Sequence, residues 1–161
     1  MRNLLRTRAY QRARAIAVYF GIDGEIDLSS VIEHARSSGK SVYAPVLARN
    51  GLRFVEIGNR KLLRRNRFGI PEPENGGRID PRRLDIVLTP LVAFDARGNR
   101  LGMGKGYYDR TLQGLRATDP AVLAIGVAFA LQEVERVPTG AYDQTLDMVI
   151  TEQAVLKPMM V

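Results

Sequence analysis

Apolar and polar residues along this chain fall into short blocks whose length and period separate strands from helices. Ala15 to Phe20 is a continuous apolar, partly β-branched run that stops at Gly21, the pattern of a strand buried on both faces. Ser30 with Glu33 fits a reciprocal helix cap, Val31, Ile32 and Ala35 supply an apolar face and Gly39 a stop, which predicts a helix. Ser41 to Leu47 reads as a second strand, and Asn50-Gly51 as a two-residue turn into the alternating stretch 52–57, giving a hairpin. From Gly69 to Pro81 the composition turns to Pro, Gly, Glu and Asn, which predicts an ordered loop. Leu84 to Phe94 reads as a central strand broken or ended at Pro90. Tyr107 to Leu115 fits a short helix, Ala121 to Phe129 a strand, Leu131 to Val137 a helix and Asp147 to Thr151 a last strand. Strands alternating with helices predict an α/β fold: one layered domain over residues 1–161, its mainly parallel sheet flanked by helices, with one hairpin carrying 52–57.

Composition narrows the setting. With 161 residues, 45% of them hydrophobic, the chain has material for one core. The lack of cysteine excludes disulfides, thiolate metal sites and a cysteine nucleophile, and it fits a reducing, cytoplasmic setting. Charges interrupt the first residues before a signal-peptide core forms, and no run reaches the roughly 18 apolar residues of a membrane span, so no membrane partner is expected. A net charge of +7 and a pI near 10.1 favour anionic partners: nucleic acid, nucleotide phosphates, polyglutamate tails or acidic headgroups. The densest basic run, Arg60 to Arg67, reads as a solvated face with its leucine pair packed inward. Only Phe68 stands near it as a stacking platform, so no nucleic acid is expected, and charge-driven nucleic-acid binding remains the lesser alternative.

Candidate chemistry concentrates between Phe94 and Asp109, where the chain leaves a strand, crosses a glycine cluster and enters a helix. Glycines at alternate positions let successive backbone N–H groups turn toward one anion, and the helix start adds unpaired N–H groups and the positive end of its dipole. Arg100 and Lys105 add full charges. Gly106 stands where a P-loop needs Ser or Thr, and Tyr107 stands where a dinucleotide fingerprint needs its third glycine. General rules therefore give an anion site or, alternatively, a tight turn. Asp109 on the same rules serves the helix dipole, and Asp143 a turn.

The segment Arg100-Leu101-Gly102-Met103-Gly104-Lys105-Gly106-Tyr107-Tyr108-Asp109 resembles the signature of the 5-formyltetrahydrofolate cyclo-ligase, or methenyltetrahydrofolate synthetase, family. Gly24-Glu25-Ile26-Asp27, Gly69-Ile70-Pro71-Glu72-Pro73 and the block around Gln132, Pro138, Asp143 and 146–152 are similar to further family segments. The resemblance runs from about Leu4 to Glu152, and the chain begins after the basic helix that usually opens family members. It implies an ATP- and Mg²⁺-dependent ligase of one-carbon metabolism that closes 5-formyltetrahydrofolate to 5,10-methenyltetrahydrofolate through a phosphorylated formyl group. It further implies that Arg100 and Lys105 are catalytic and that residues 100–108 (Arg100, Leu101, Gly102, Met103, Gly104, Lys105, Gly106, Tyr107 and Tyr108) hold ATP. Phe20, Glu25, Met103, Tyr107 and Tyr108 would line the folate site, and Asp109 and Asp143 would hold the metal. Met103 and Tyr142 depart from the family, where Arg and His are frequent. A non-catalytic folate- or nucleotide-binding homologue is the alternative; His34 matches no catalytic position and reads as structural.

Overall fold

The computed structural model describes residues 1–22, 24–58, 63–118 and 121–158. Two short helices, α1 (Arg2–Leu5) and α2 (Arg8–Arg12), lead into β1 (Ala15–Ala17); then follow α3 (Ser29–Ser37), β2 (Ser41–Ala48), β3 (Gly51–Glu56), β4 (Leu63–Arg65), β5 (Pro71–Pro73) and β6 (Arg78–Ile79). The second half runs β7 (Ile86–Thr89), β8 (Ala93–Phe94), β9 (Arg100–Leu101), α4 (Tyr107–Thr118), β10 (Leu123–Val127), β11 (Met148–Ile150) and β12 (Val155–Leu156). Eight strands form one sheet in the order β12-β11-β10-β7-β1-β2-β3-β6, in which β11, β10, β7, β1 and β2 are parallel and β12, β3 and β6 are antiparallel additions at the edges. The α/β class, the mainly parallel sheet and the hairpin are as expected.

Strand periodicity explains why both faces of this sheet are buried. Ile16, Ile86, Leu88, Ile125, Met148 and Ile150 point to one face, where they meet Leu4 and Tyr10 from the amino-terminal helices and Val31, Ile32 and Ala35 from α3. The alternate positions Ala17, Val87, Ala124 and Val149 point to the other, under Leu112 and Leu115 of α4. Two aspartates fix the strand starts. Asp85 accepts from the Arg14 and Ala15 N–H groups at 2.7 and 2.9 Å, and Asp147 accepts from Ala124 N at 2.7 Å.

Several local expectations are corrected. Helix α3 starts at Ser29, whose N and Oγ donate to Asp27 Oδ1 at 2.9 and 2.7 Å, so Ser30 lies inside the helix and no Ser30–Glu33 cap forms. Its end does use Gly39, at φ +73°, with Lys40 N donating to Ala35 O and Gly39 N to Arg36 O. In the hairpin Ala48 pairs with Gly51, so the turn is Arg49-Asn50 rather than Asn50-Gly51. Strand β1 ends at Ala17 rather than Phe20, which frees Tyr19 and Phe20 to face a cavity. The Gly69–Pro81 loop contains β5, paired with β4, and β6, paired with β3. Of the basic run, Leu63 to Arg65 form β4, whereas positions 60–62 lie outside the described residues.

The helix expected over Leu131 to Val137 is absent; a single 3-10 turn, Ala130–Gln132, stands there. Beyond it Val134 N donates to Phe94 O at 2.8 Å and Val137 N to Asp95 Oδ2 at 3.0 Å, so the segment extends along β8 instead of coiling. Asp95 is 2% exposed and also accepts from Arg97 N, Asn99 N and Asn99 Nδ2, tying the β8–β9 turn to this segment. Burial pushes its carboxyl up, but the four hydrogen bonds outweigh burial and hold it below the usual carboxylate range. A depressed folded-state value contributes stability above the unfolded value of about 3.9 that is lost as pH falls through the folded one. Asp95→Asn is therefore expected to unfold more easily than wild type at neutral pH, with the gap closing below about pH 4. Denaturant midpoints measured across that range check this, and a gap that stays constant contradicts it.

The same turn relies on Gly98, which sits at φ +79°. A Cβ there would stand 2.5 Å from Pro158 Cγ and 2.8 Å from Leu146 O. Gly98→Ala combines backbone strain with overpacking, each costing about 1–3 kcal/mol, and its thermal midpoint is expected to fall accordingly.

Candidate active site

The parallel strands change direction of progression at β1. From it the chain proceeds through β2 and β3 to one edge, then returns to place β7, β10 and β11 on the other side. Beyond the carboxyl ends of adjacent strands β1 and β7 such a switch point leaves a crevice, the usual ligand position in open α/β sheets. A cavity of about 500 Å³ lies there. Tyr19 and Phe20 enter it from the end of β1, Pro90, Leu91 and Val92 from the end of β7, and Pro45, Leu47 and Leu52 from the β2–β3 hairpin.

The glycine loop forms one wall. Arg100 to Asp109 all line the cavity, together with Phe20, Glu25 and Asp143, so the structure brings every residue assigned to the site from the sequence to one place. Gly104 and Gly106 have φ of +76° and +63°, a region that side chains with a Cβ rarely adopt. Among the described residues, no N–H group from Gly102 to Gly106 donates to a protein acceptor; Gly106 O accepts from Arg110 N as α4 begins. Five consecutive donors and an open helix start thus border the cavity, the arrangement that binds anions.

The cations divide into two kinds. Arg100 is buried, with Nη2 donating to Asp109 Oδ1 at 2.8 Å and side-chain exposures of 4% and 17% for the pair. Gln144 N shares that oxygen at 3.1 Å. Burial pulls the Arg100 guanidinium below its ordinary value, while Asp109, Tyr108 and Asp143 pull it back, and it stays charged. The sequence reading gave Arg100 to phosphate and Asp109 to metal as separate contacts; in the structure they first bind each other. Lys105 is exposed, and its Nζ stands 3.2 Å from the centre of the Phe68 ring. Arg67 Nη2 donates to Tyr107 Oη at 2.8 Å, while Arg110 stacks 5.1 Å over the same ring.

Opposite the glycine loop stands the segment Asn66 to Glu72, which sequence reasoning did not assign to the site. Asn66 Oδ1 accepts from Phe68 N and Ile70 N, and Glu72 Oε1 accepts from Leu47 N and Asn66 Nδ2, so the segment is bolted to β2 and presents Phe68 to the cavity. The Gly69-to-Pro73 match was the signal available for it.

Glu25 Oε2 accepts from Ile22 N at 3.1 Å, and its charge, behind the larger effect of burial, raises the phenol of Tyr19. Burial likewise raises Tyr108, with Tyr19 and Glu25 adding to it. Asp143 Oδ2 accepts from Gly140 N at 2.8 Å, the turn role that its residue type favours, yet it faces the cavity and its charge acts on Arg100. Among the described residues no three acidic or histidine groups cluster as a metal cage. Asp109 and Asp143 nevertheless each keep one carboxylate oxygen without a protein donor among those residues, which suits a hard cation that takes its other ligands from phosphate and water. His34 lies away from the cavity, its Nδ1 2.9 Å from Tyr10 Oη. Among the described residues no helix is long and apolar enough to cross a membrane.

Comparison with known proteins gives a consistent result. The model of the 5-formyltetrahydrofolate cyclo-ligase family matches residues 1–152. A 5-formyltetrahydrofolate cyclo-ligase from Haemophilus influenzae is 42% identical over 149 residues, 89% of this chain and 77% of that protein. One from Escherichia coli K12 is 41% identical over 150 residues, 89% of this chain and 80% of that protein. The NMR structure of Aquifex aeolicus 5,10-methenyltetrahydrofolate synthetase superposes with a TM-score of 0.83 at 34% identity, covering 97% of this chain and 77% of that one.

Proposed function

Since this chain belongs to the 5-formyltetrahydrofolate cyclo-ligase family, we propose that it uses ATP to convert 5-formyltetrahydrofolate to 5,10-methenyltetrahydrofolate at the switch-point cavity. The observation that supports the reading is the run of N–H groups from Gly102 to Gly106 that, among the described residues, have no protein acceptor; the run carries Lys105 and is flanked by the Arg100–Asp109 pair, along a mostly apolar cavity.

The formyl oxygen of the substrate is a poor leaving group. It attacks the terminal phosphorus of ATP, ADP departs, and the oxygen becomes part of a phosphate ester. The neighbouring N10 then adds to the formyl carbon, loses its proton, and inorganic phosphate leaves with the original oxygen. Such transfer depends on positioning and charge neutralisation more than on a nucleophilic side chain. The loop N–H groups and Lys105 would hold the phosphates, while the buried Arg100 keeps a fixed positive charge beside them. Mg²⁺, held by Asp109 and Asp143, would neutralise phosphate charge. Glu25 can accept hydrogen bonds from the amide-like edge of a pterin, with Phe20 and Tyr108 against its faces.

The product absorbs in the near ultraviolet where the substrate barely does. Absorbance growth that requires both ATP and Mg²⁺ is the expected result. Folate binding without that growth favours the non-catalytic homologue. Nucleic-acid affinity falling steeply with salt, with no response to ATP, favours the charge-driven alternative.

A further inference from the structure

Among the described residues, the buried side-chain polar atoms without a hydrogen-bond partner are Tyr19 Oη and Arg100 Nε, and both residues line the same cavity. The other buried hydroxyls among the described residues are satisfied: Tyr10, 1% exposed, places its Oη 2.9 Å from His34 Nδ1. An unpaired buried phenol costs folding free energy, and an isosteric phenylalanine avoids that cost. Tyr19 therefore keeps a hydroxyl that the free protein would fold better without.

Placement indicates what the hydroxyl is for. Tyr19 follows β1 at the switch point, 3% exposed, next in sequence to Phe20. The Glu25 carboxylate is near enough for its charge to act on the Tyr19 phenol, Tyr19 acts in turn on Tyr108, and the Arg100 guanidinium stands 6.0 Å over the Tyr108 ring, so polar groups gather at this stretch of the wall. Hydrogen bonds that are loose in a free site often close only in the complex. We infer that Tyr19 is a substrate-binding residue, whose phenol O–H is unpaired in the free protein and donates to an oxygen or ring nitrogen of the folate when the wall adjusts around it. The inference rests on the folate reading above and extends it to a residue that the sequence did not assign to the site. A site built this way discriminates strongly against ligands lacking the acceptor, because the phenol would then stay buried and unpaired.

Tyr19→Phe tests it, with Tyr10→Phe as the contrasting variant whose hydroxyl already has a partner. For Tyr19→Phe the expected result is a thermal midpoint without ligand equal to or above wild type, kcat nearly unchanged, and KM and calorimetric Kd for 5-formyltetrahydrofolate raised about tenfold, the worth of one such bond. For Tyr10→Phe the midpoint should fall while KM stays at the wild-type value. Wild-type KM and Kd in Tyr19→Phe would overturn the inference while leaving the cyclo-ligase reading intact. A lowered midpoint in Tyr19→Phe would also overturn it, by revealing an internal partner. Folate binding that depends on Tyr19, without turnover by the wild type, would instead sink the cyclo-ligase reading alone. Absence of folate binding by the wild type would sink both.

Discussion

Lys105→Ala is expected to lower turnover about 100- to 1,000-fold, the usual effect of removing one preorganised group that stabilises developing charge. The fold should be unaffected. Lys105 is exposed on the glycine loop, and its contact with the Phe68 ring, 3.2 Å from Nζ to the ring centre, is of a kind worth about 0.5–1 kcal/mol at exposed sites. In the complex the same ammonium would lie between phosphate oxygens and the apolar wall, where water is scarce and a full charge acts more strongly. Measuring kcat at saturating ATP and folate, beside a thermal unfolding curve, separates the two effects. Turnover near the wild-type value would remove Lys105 from phosphate handling.

Asp109→Ala should behave in the opposite way, losing stability and activity together. Its carboxylate is the partner of a guanidinium that is 4% exposed and whose Nε already lacks an acceptor among the described residues. Removing it leaves a buried positive charge unpaired, which costs about 3–5 kcal/mol. Asp109→Asn should recover much of the stability, because its amide oxygen can still accept from Arg100 Nη2 and Gln144 N, yet it should not recover turnover if the negative charge is needed for a cation. Urea midpoints and turnover for both variants check this. An Asp109→Ala protein as stable as the wild type would mean that Arg100 has found another partner or water.

The contrast explains why the glycine loop could be located from the sequence while its internal roles were not. Alternating glycines ahead of a helix have a local meaning, since few side chains tolerate the φ values of Gly104 and Gly106. Whether Arg100 faces solvent, phosphate or Asp109 depends instead on burial, which β8 and β9 impose by drawing its side chain inward. The misplaced hairpin turn has a similar origin. Asn50-Gly51 has turn composition, but Gly51 is in β3, where a Cβ would lie 2.8 Å from Thr111 Oγ1, so the glycine answers the approach of α4. Leu131 to Val137 has helical spacing, yet Leu131 is 85% exposed and the backbone of the segment is taken up by Phe94 and Asp95. Val134 is exposed as well and Val137 alone of the three spaced apolar residues is buried, so a helix there would have had little core to cover.

By itself the sequence determined what depends on neighbours along the chain: the apolar runs that became β1, β2, β7, β10 and β11, the glycine stop of α3, and the loop entering α4. Only the tertiary structure decided what depends on residues far apart in sequence: strand order, the cavity between the ends of β1 and β7, the pairing of Arg100 with Asp109, and the presentation of Phe68 opposite Lys105. The reason is that backbone preferences and periodicity act over a few residues, whereas burial and charge pairing are set by whichever surfaces the fold brings together.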